Sequence, residues 1–310
     1  MKQPFFECSR WRICVFVLLS LFPAILFTGA GRADNETTIP VMVDYFDLQN
    51  AGAVTPEGIA RIPGSGNYAI LDEGEAKLII ADSRGMFLGQ CDTTGFGSND
   101  PTGITYISSG PQAGNFAVTD EGDREVYIVN SACGLQDQFD TSQYGSKTPQ
   151  GIAFISSGTY AGDLAYTTPG TPDEVFIVSI DGSTLRLKFA APSAATNPYG
   201  LTWIDSGRYA GNLAIMDLST KDVFIVDTNG IYQDQFDIST ISTAPHGICF
   251  NSGTGNLDII DKTAREVFTF NAEGVLFDAF ATNVYGSTSP RGLTHVSSGP
   301  MANTWAVIDN

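Results

Sequence analysis

Six positions in this chain of 310 residues carry side chains with chemical potential and share one local frame. Each lies between a proline and a glycine: Glu57, Thr102, Gln150, Tyr199, His246 and Arg291, in TPEGIARI, DPTGITYI, TPQGIAFI, NPYGLTWI, APHGICFN and SPRGLTHV. The flanks repeat while this column changes in every copy, which is how a binding site differs from its scaffold within one chain. A variable, solvent-exposed loop position leaves the same trace. Glu57 and His246 have acid–base capacity, since a neutral imidazole accepts protons near pH 7. A lone histidine is more often structural. Glu57 and Arg291 fall in the first and last copies, where an ion pair is as reasonable as a contact to substrate.

A second column is acidic. Asp72, Asp120, Asp217, Asp261 and Asp309 each end an apolar run, and Thr168 takes the place in the third copy. Repetition argues for a structural task, the acceptance of backbone N–H bonds at the following turn. The alternative is a calcium site on Asp72, Asp120, Asp217 and Asp261, because hard oxygen ligands near a channel suit that ion. The turns DEGE and DEGDRE add acid nearby, but neither follows an EF-hand spacing. The primary expectation is therefore no catalytic residue and no cofactor. Beyond the first 33 residues the cysteines are Cys91, Cys133 and Cys249, without C-x-x-C spacing. A Cys91–Cys133 disulfide is open in an oxidising compartment, although nothing in the spacing demands it. Cys249 reads as a buried thiol and His295 as a packed core residue.

These columns are held by a repeat. Its prolines, Pro56, Pro101, Pro149, Pro198, Pro245 and Pro290, recur at intervals of 45 to 49 residues. After each come a Gly-rich turn, an apolar run ending in acid (NYAILD, NFAVTD, NLAIMD), a third run (EVYIV, EVFIV, DVFIV) and a fourth near Phe-Asp. Four short runs rich in Val, Ile, Phe and Tyr between Gly, Asn, Asp and Ser read as antiparallel strands a to d. Copies of a four-stranded sheet around an axis make a six-bladed β-propeller, with both faces of each sheet buried against neighbours. Within strand a, small residues (Ala60, Thr105, Ala153, Thr202, Cys249, Thr294) stand where blades converge. The next column (Arg61, Tyr106, Phe154, Trp203, Phe250, His295) is mostly large and belongs to the opposite face.

The N-terminal VMVDYFDLQNAGAVTP matches the end of a repeat and supplies an outer strand to the last blade, closing the ring. The last copy stops after strand b at Asn310, and the residues before Val41 are too few and too polar to furnish the third strand. Either that blade is incomplete or the chain is truncated, which leaves a seventh blade open. The reading leans to truncation.

Residues 1–33, basic and then apolar around ICVFVLLSLFPAILFTGA with small residues after, read as a cleaved secretory signal. Residues 34–40 are a short linker and 41–310 the propeller, so the product is expected to be secreted or periplasmic, monomeric and without stable membrane insertion. The net charge of −18 argues against a nucleic-acid partner.

The succession P-x-G-I, apolar run ending in Asp, V-x-I-V, Gly turn and F-D resembles the NHL class of β-propeller repeat. It is more loosely similar to the propellers of streptogramin lyases and gluconolactonases. The resemblance spans roughly residues 41–310 and implies a fold that hosts binding platforms, lyases and lactonases alike. The channel-mouth loops are then the default site. The amidating lyase branch implies several zinc-holding histidines, which two histidines do not reproduce. The gluconolactonase-like branch implies a divalent ion held by carboxylates and asparagines. The function expected is a non-catalytic module binding a protein, glycan or small ligand through Glu57, Thr102, Gln150, Tyr199, His246 and Arg291, with Phe96, Tyr144, Tyr199 and Tyr285 as aromatic anchors. The alternative is a calcium-type, metal-assisted lactonase or lyase using Glu57 and His246.

Overall fold

The protein's structure, a computed structural model, describes residues 12–17, 41–297 and 302–310. It is an all-β propeller of four-stranded antiparallel blades. The first blade runs Pro56–Arg61, Tyr68–Asp72, Lys77–Ala81 and Phe87–Asp92, from the channel outward. Four more contiguous blades follow, with inner strands Pro101–Tyr106, Ile152–Phe154, Pro198–Ile204 and Pro245–Asn251.

Burial explains the repeat. Strands b and c are apolar on both sides because both sides are covered: Phe116–Asp120 is buried at every position and Glu125–Val129 at all but its first. Strand d faces solvent on its outer edge and alternates, as in Tyr232–Asp237. The apolar clusters lie between blades rather than within them. Ala117, Val126 and Ile128 of one blade share a core with Leu164, Tyr166 and Phe176 of the next. Each such aliphatic or aromatic side chain contributes roughly 1.5–3 kcal/mol by leaving water. The turn between strands c and d locks neighbours together: at Gly182 (φ +61°) a Cβ would stand 2.0 Å from the Phe139 ring of the preceding blade. That contact accounts for the pairing of a turn glycine with Phe-Asp in the repeat.

A sixth four-stranded sheet contains Pro290–Val296, Thr304–Asp309, Arg12–Val17 and Val41–Asp47 in that order. Val41–Asp47 is the outer strand, as the sequence match anticipates. The expectation that nothing before Val41 fills the third position is overturned. Arg12–Val17 lies there, antiparallel to Thr304–Asp309 with Ile13 opposite Ile308, and to Val41–Asp47 with Arg12 opposite Asp47. Its sequence RICVFV has the β-branched composition of strand c in the other blades, and the polarity of residues 34–40 says nothing against a strand farther upstream. The remainder of the expected leader, residues 1–11 and 18–33, and the linker 34–40 lie outside the described residues. Val296, Ala306 and Ile308 of this sheet share one core with Ile59, Tyr68 and Ile70 of the first blade. Among the described residues, no helix is long and apolar enough to cross a membrane.

Candidate functional site at the channel mouth

The start of strand a carries the variable column to one end of the channel. Glu57, Thr102, Gln150, Tyr199, His246 and Arg291 surround a cup of about 100 Å³. Its floor is a girdle of Ile59, Ile104, Ile152, Leu201, Ile248 and Leu293, which also roofs a larger cavity below. The glycine of each P-x-G lets adjacent blades approach at this level. At Gly151 a Cβ would sit 2.2 Å from the carbonyl oxygen of Tyr199, and its N–H instead donates to that oxygen at 2.9 Å. Thr119 and Thr167 complete the clamp, donating from Oγ1 to the carbonyls of Gln150 (2.6 Å) and Tyr199 (3.1 Å).

The polar side chains are largely engaged with one another. Arg291 pairs with the buried carboxylate of Glu57, and His246 Nε2 stands 3.6 Å from Glu57 Oε2. Burial, then the charge of Lys262, lowers the His246 pKa to about 4, so the imidazole is neutral at pH 7 and a weak base. Its ring meets Tyr199 edge to face at 5.2 Å. Burial and then the charges of Glu73, Glu121 and Asp100 push the Tyr199 phenol up to about 12. Gln150 Nε2 donates to Glu121, while Thr102 Oγ1 donates to the Pro149 carbonyl at 3.1 Å. The rim over the first two blades is acidic: burial, then Glu73 and Glu121, raises the Asp100 carboxyl above its usual range.

The structure thus brings all six variable-column residues together. Glu73 and Glu121 belong to the acidic turns DEGE and DEGDRE that the sequence marks, whereas Asp100 was missed; it sits in a loop outside any repeated column and joins them only through blade geometry.

The strand-end aspartates serve the loops. Asp217 accepts N–H bonds from Thr196 and Asn197 on one oxygen and from Ser219 and Thr220 on the other, at 2.6 to 2.9 Å. Asp72 and Asp120 hold their loops in the same way. Burial alone would push the Asp261 carboxyl up, but Ser242 and the N–H groups of Ala244, Ala264 and Thr243 hold it below its usual range. In the third blade the hydroxyls of Ser146 and Thr168 pair at 2.8 Å. Among the described residues, no group of three or more His, Cys, Asp or Glu side chains could hold a metal ion. With their oxygens committed to separate loops, Asp72, Asp120, Asp217 and Asp261 do not fit a shared calcium ion.

Of the four expected aromatic anchors, Phe96, Tyr144 and Tyr285 turn inward. Phe96 packs on Tyr127 at 5.5 Å and Tyr144 donates from its hydroxyl to the Gly182 carbonyl. Phe96, Tyr144 and Tyr285 pack against the cores between blades. Their 3₁₀ turns tuck the rings beneath the loops, and of the four only Tyr199 lines the cup. Cys91 and Cys133 form a disulfide with Cα atoms 5.8 Å apart, whereas Cys249 is free and half-buried. Burial, then the nearby Asp258, pushes the Cys249 thiol well up, which disfavours the thiolate that would act as a nucleophile.

No protein-family model matches the chain, and no curated protein matches it by sequence. Solved structures do. A chain in the crystal structure of a nidogen/laminin complex is similar at 16% identity and TM-score 0.63, over 91% of this chain and 97% of that one. A gluconolactonase from Xanthomonas campestris matches at 16% identity and TM-score 0.61, over 83% and 87%. A streptogramin B lyase matches at 17% identity and TM-score 0.56, over 78% and 74%. At such identities the likeness shows the fold alone: the protein is a propeller loosely similar to the NHL class.

Proposed function

We propose that this protein is a non-catalytic, six-bladed binding module whose channel mouth receives a protein, glycan or small ligand presenting a cationic group. The observation that carries the reading is the state of the cup. Its one buried carboxylate, Glu57, is already matched by Arg291, its histidine is a weak base, and its volume falls below the ~300 Å³ at which small-molecule pockets begin. Crowded carboxylates at Glu73, Asp100 and Glu121 favour a partner whose positive charge relieves their repulsion. Tyr199 supplies a rigid aromatic surface beside them.

Six-bladed closure is supported by the core shared between last and first blades and by the Arg291–Glu57 pair. Export is supported by the Cys91–Cys133 disulfide, which persists in oxidising compartments. The module is proposed to act as a monomer, without nucleic acid or stable membrane insertion. The alternative, a metal-assisted lactonase or lyase, requires Glu57 to leave Arg291 and His246 to gain basicity.

The test titrates the full chain with a lysine-rich and a glutamate-rich peptide of equal length, and assays a lactone panel with and without calcium. The expected result is salt-sensitive binding of the basic peptide only, weakened about tenfold by Asp100→Asn with Glu121→Gln, and no turnover. Calcium-dependent turnover abolished by Glu57→Gln would replace this reading with the enzymatic one.

A further inference from the structure

The third strands of the sheets share one pattern. In five of them a half-buried polar residue, Lys77, Glu125, Glu174, Asp222 or Glu266, precedes four buried ones. Each pairs with its outer strand through a register shift between the fourth and fifth residues, as between Ile225 and Val226 or Thr269 and Phe270. Arg12–Val17 keeps this arrangement in the sixth sheet. RICVFV opens on a charged residue and continues with apolar ones, and its register with Val41–Asp47 shifts between Val15 and Phe16, again the fourth and fifth. Ile13 pairs with Ile308 as Val267 pairs with Ile260 in the fifth blade.

What differs is where the strand comes from. The other five third strands lie between the second and fourth strands of their own repeat, whereas Arg12–Val17 precedes its outer strand and falls in the segment that the sequence reads as a leader. Among the described residues, Val41–Asp47 pairs with no strand but this one. Loss of Arg12–Val17 therefore opens two ladder edges at once, on Thr304–Asp309 and on Val41–Asp47. The first edge is fixed from both flanks. Ala306 and Ile308 share a core with Ile59 and Ile70 of the first blade, and Trp305 and Val307 share one with Ile260 and Val267 of the fifth. Trp305 Nε1 also donates to Asp258 at 2.7 Å, and Asp309 accepts the N–H groups of Thr288 and Ser289. An edge held in this way takes an added strand with little ordering cost on the protein's side.

We propose that the third position of the sixth sheet is a strand-acceptor site. Once the leader is removed, it takes an extended segment of a partner protein, antiparallel to Thr304–Asp309, in which one polar residue precedes four apolar β-branched or aromatic ones. Main-chain ladder bonds give the affinity, and the flanking cores of the first and fifth blades select the apolar side chains. The inference rests on the export reading, under which residues 1–33 leave the chain, and is separate from the channel mouth.

The test starts from the full chain produced in a bacterium, with the N-terminus of the product read by mass spectrometry. That product is then titrated with the peptide DVFIVD, the sequence of Asp222–Asp227, on an uncharged Gly-Ser tail. A product lacking residues 1–33 should bind it one to one at about 100 µM or below. Phe224→Pro in the peptide should weaken binding about tenfold or more, because proline removes a ladder donor. Hydrogen exchange should show new protection in Thr304–Asp309 when the peptide is bound. Affinity should hold between about 0.05 and 0.5 M salt, which separates this site from the salt-sensitive one proposed at the mouth. A product that retains Arg12–Val17 would overturn the proposal, since its own strand then stays in place. So would a product lacking residues 1–33 that ignores the peptide at about 100 µM or binds the proline peptide equally well.

Discussion

The guanidinium of Arg291, in the strand Pro290–Val296, meets the carboxylate of Glu57, in the first blade. Glu57 retains only 4% of its side-chain surface and Arg291 18%. Removing one partner from such a pair leaves a buried charge uncompensated, at a cost of about 3–5 kcal/mol when burial is complete. Arg291→Gln should therefore lower stability toward the bottom of that range in urea unfolding. Glu57→Gln combined with Arg291→Gln should regain most of the loss. Equal losses in the single and double variants would mean that the pair does not hold these two strands together.

Asp258 sets a pH dependence. It is fully buried, accepting bonds from Thr269 Oγ1 at 2.6 Å and Trp305 Nε1 at 2.7 Å, and burial raises its pKa to about 6. A carboxyl whose folded pKa is raised favours the folded state while protonated. Its contribution is fully present below the ordinary value of 3.8 and is lost as pH rises through about 6. The difference corresponds to about 3 kcal/mol. Asp258→Asn should flatten the stability profile between pH 4 and 7, and an unchanged slope in that variant would remove Asp258 as its source.

The Cys91–Cys133 disulfide closes a loop with a sequence separation of 42 and ties the outer strand of the first blade to a turn of the second. Chain-entropy arguments put its contribution at about 4 kcal/mol. Cys133→Ser should lower unfolding stability by about 2–4 kcal/mol under oxidising conditions, and dithiothreitol should bring the native chain to the level of the variant. A native chain indifferent to reductant would contradict this.

Pairing of Arg12–Val17 with Thr304–Asp309 makes a prediction about the leader. A chain starting at residue 34 lacks that neighbour, so the amides of Thr304–Asp309 should exchange faster with deuterium than in the full chain. Protection in Leu164–Thr168 and Asn212–Asp217, whose ladders lie within single blades, should not change. Identical protection of Thr304–Asp309 in both chains would show that the third strand contributes nothing to the sheet.

Much of the site was legible because it repeats. The column between proline and glycine varies against constant flanks, and that contrast alone locates Glu57, Tyr199, His246 and Arg291 at one mouth. The roles within the column were not legible, since whether Glu57 is free or matched depends on a residue more than 200 positions away. Phe96, Tyr144 and Tyr285 looked like loop anchors because loop composition does not reveal the 3₁₀ turns that fold their rings inward.

By itself the sequence determined the blade: strand order, the burial of strands b and c, the loop-holding aspartates and the outer position of Val41–Asp47 all follow from short-range patterns of apolar, turn and acidic residues. Only the tertiary structure decided what meets across blades. It joined Cys91 to Cys133 and Arg291 to Glu57, placed Arg12–Val17 beside Thr304–Asp309, and drew six aliphatic side chains into a girdle that divides the channel in two. The reason is physical: hydrophobic periodicity is a local signal, whereas these contacts depend on the accumulated rotation of successive blades about the axis, which no single repeat records.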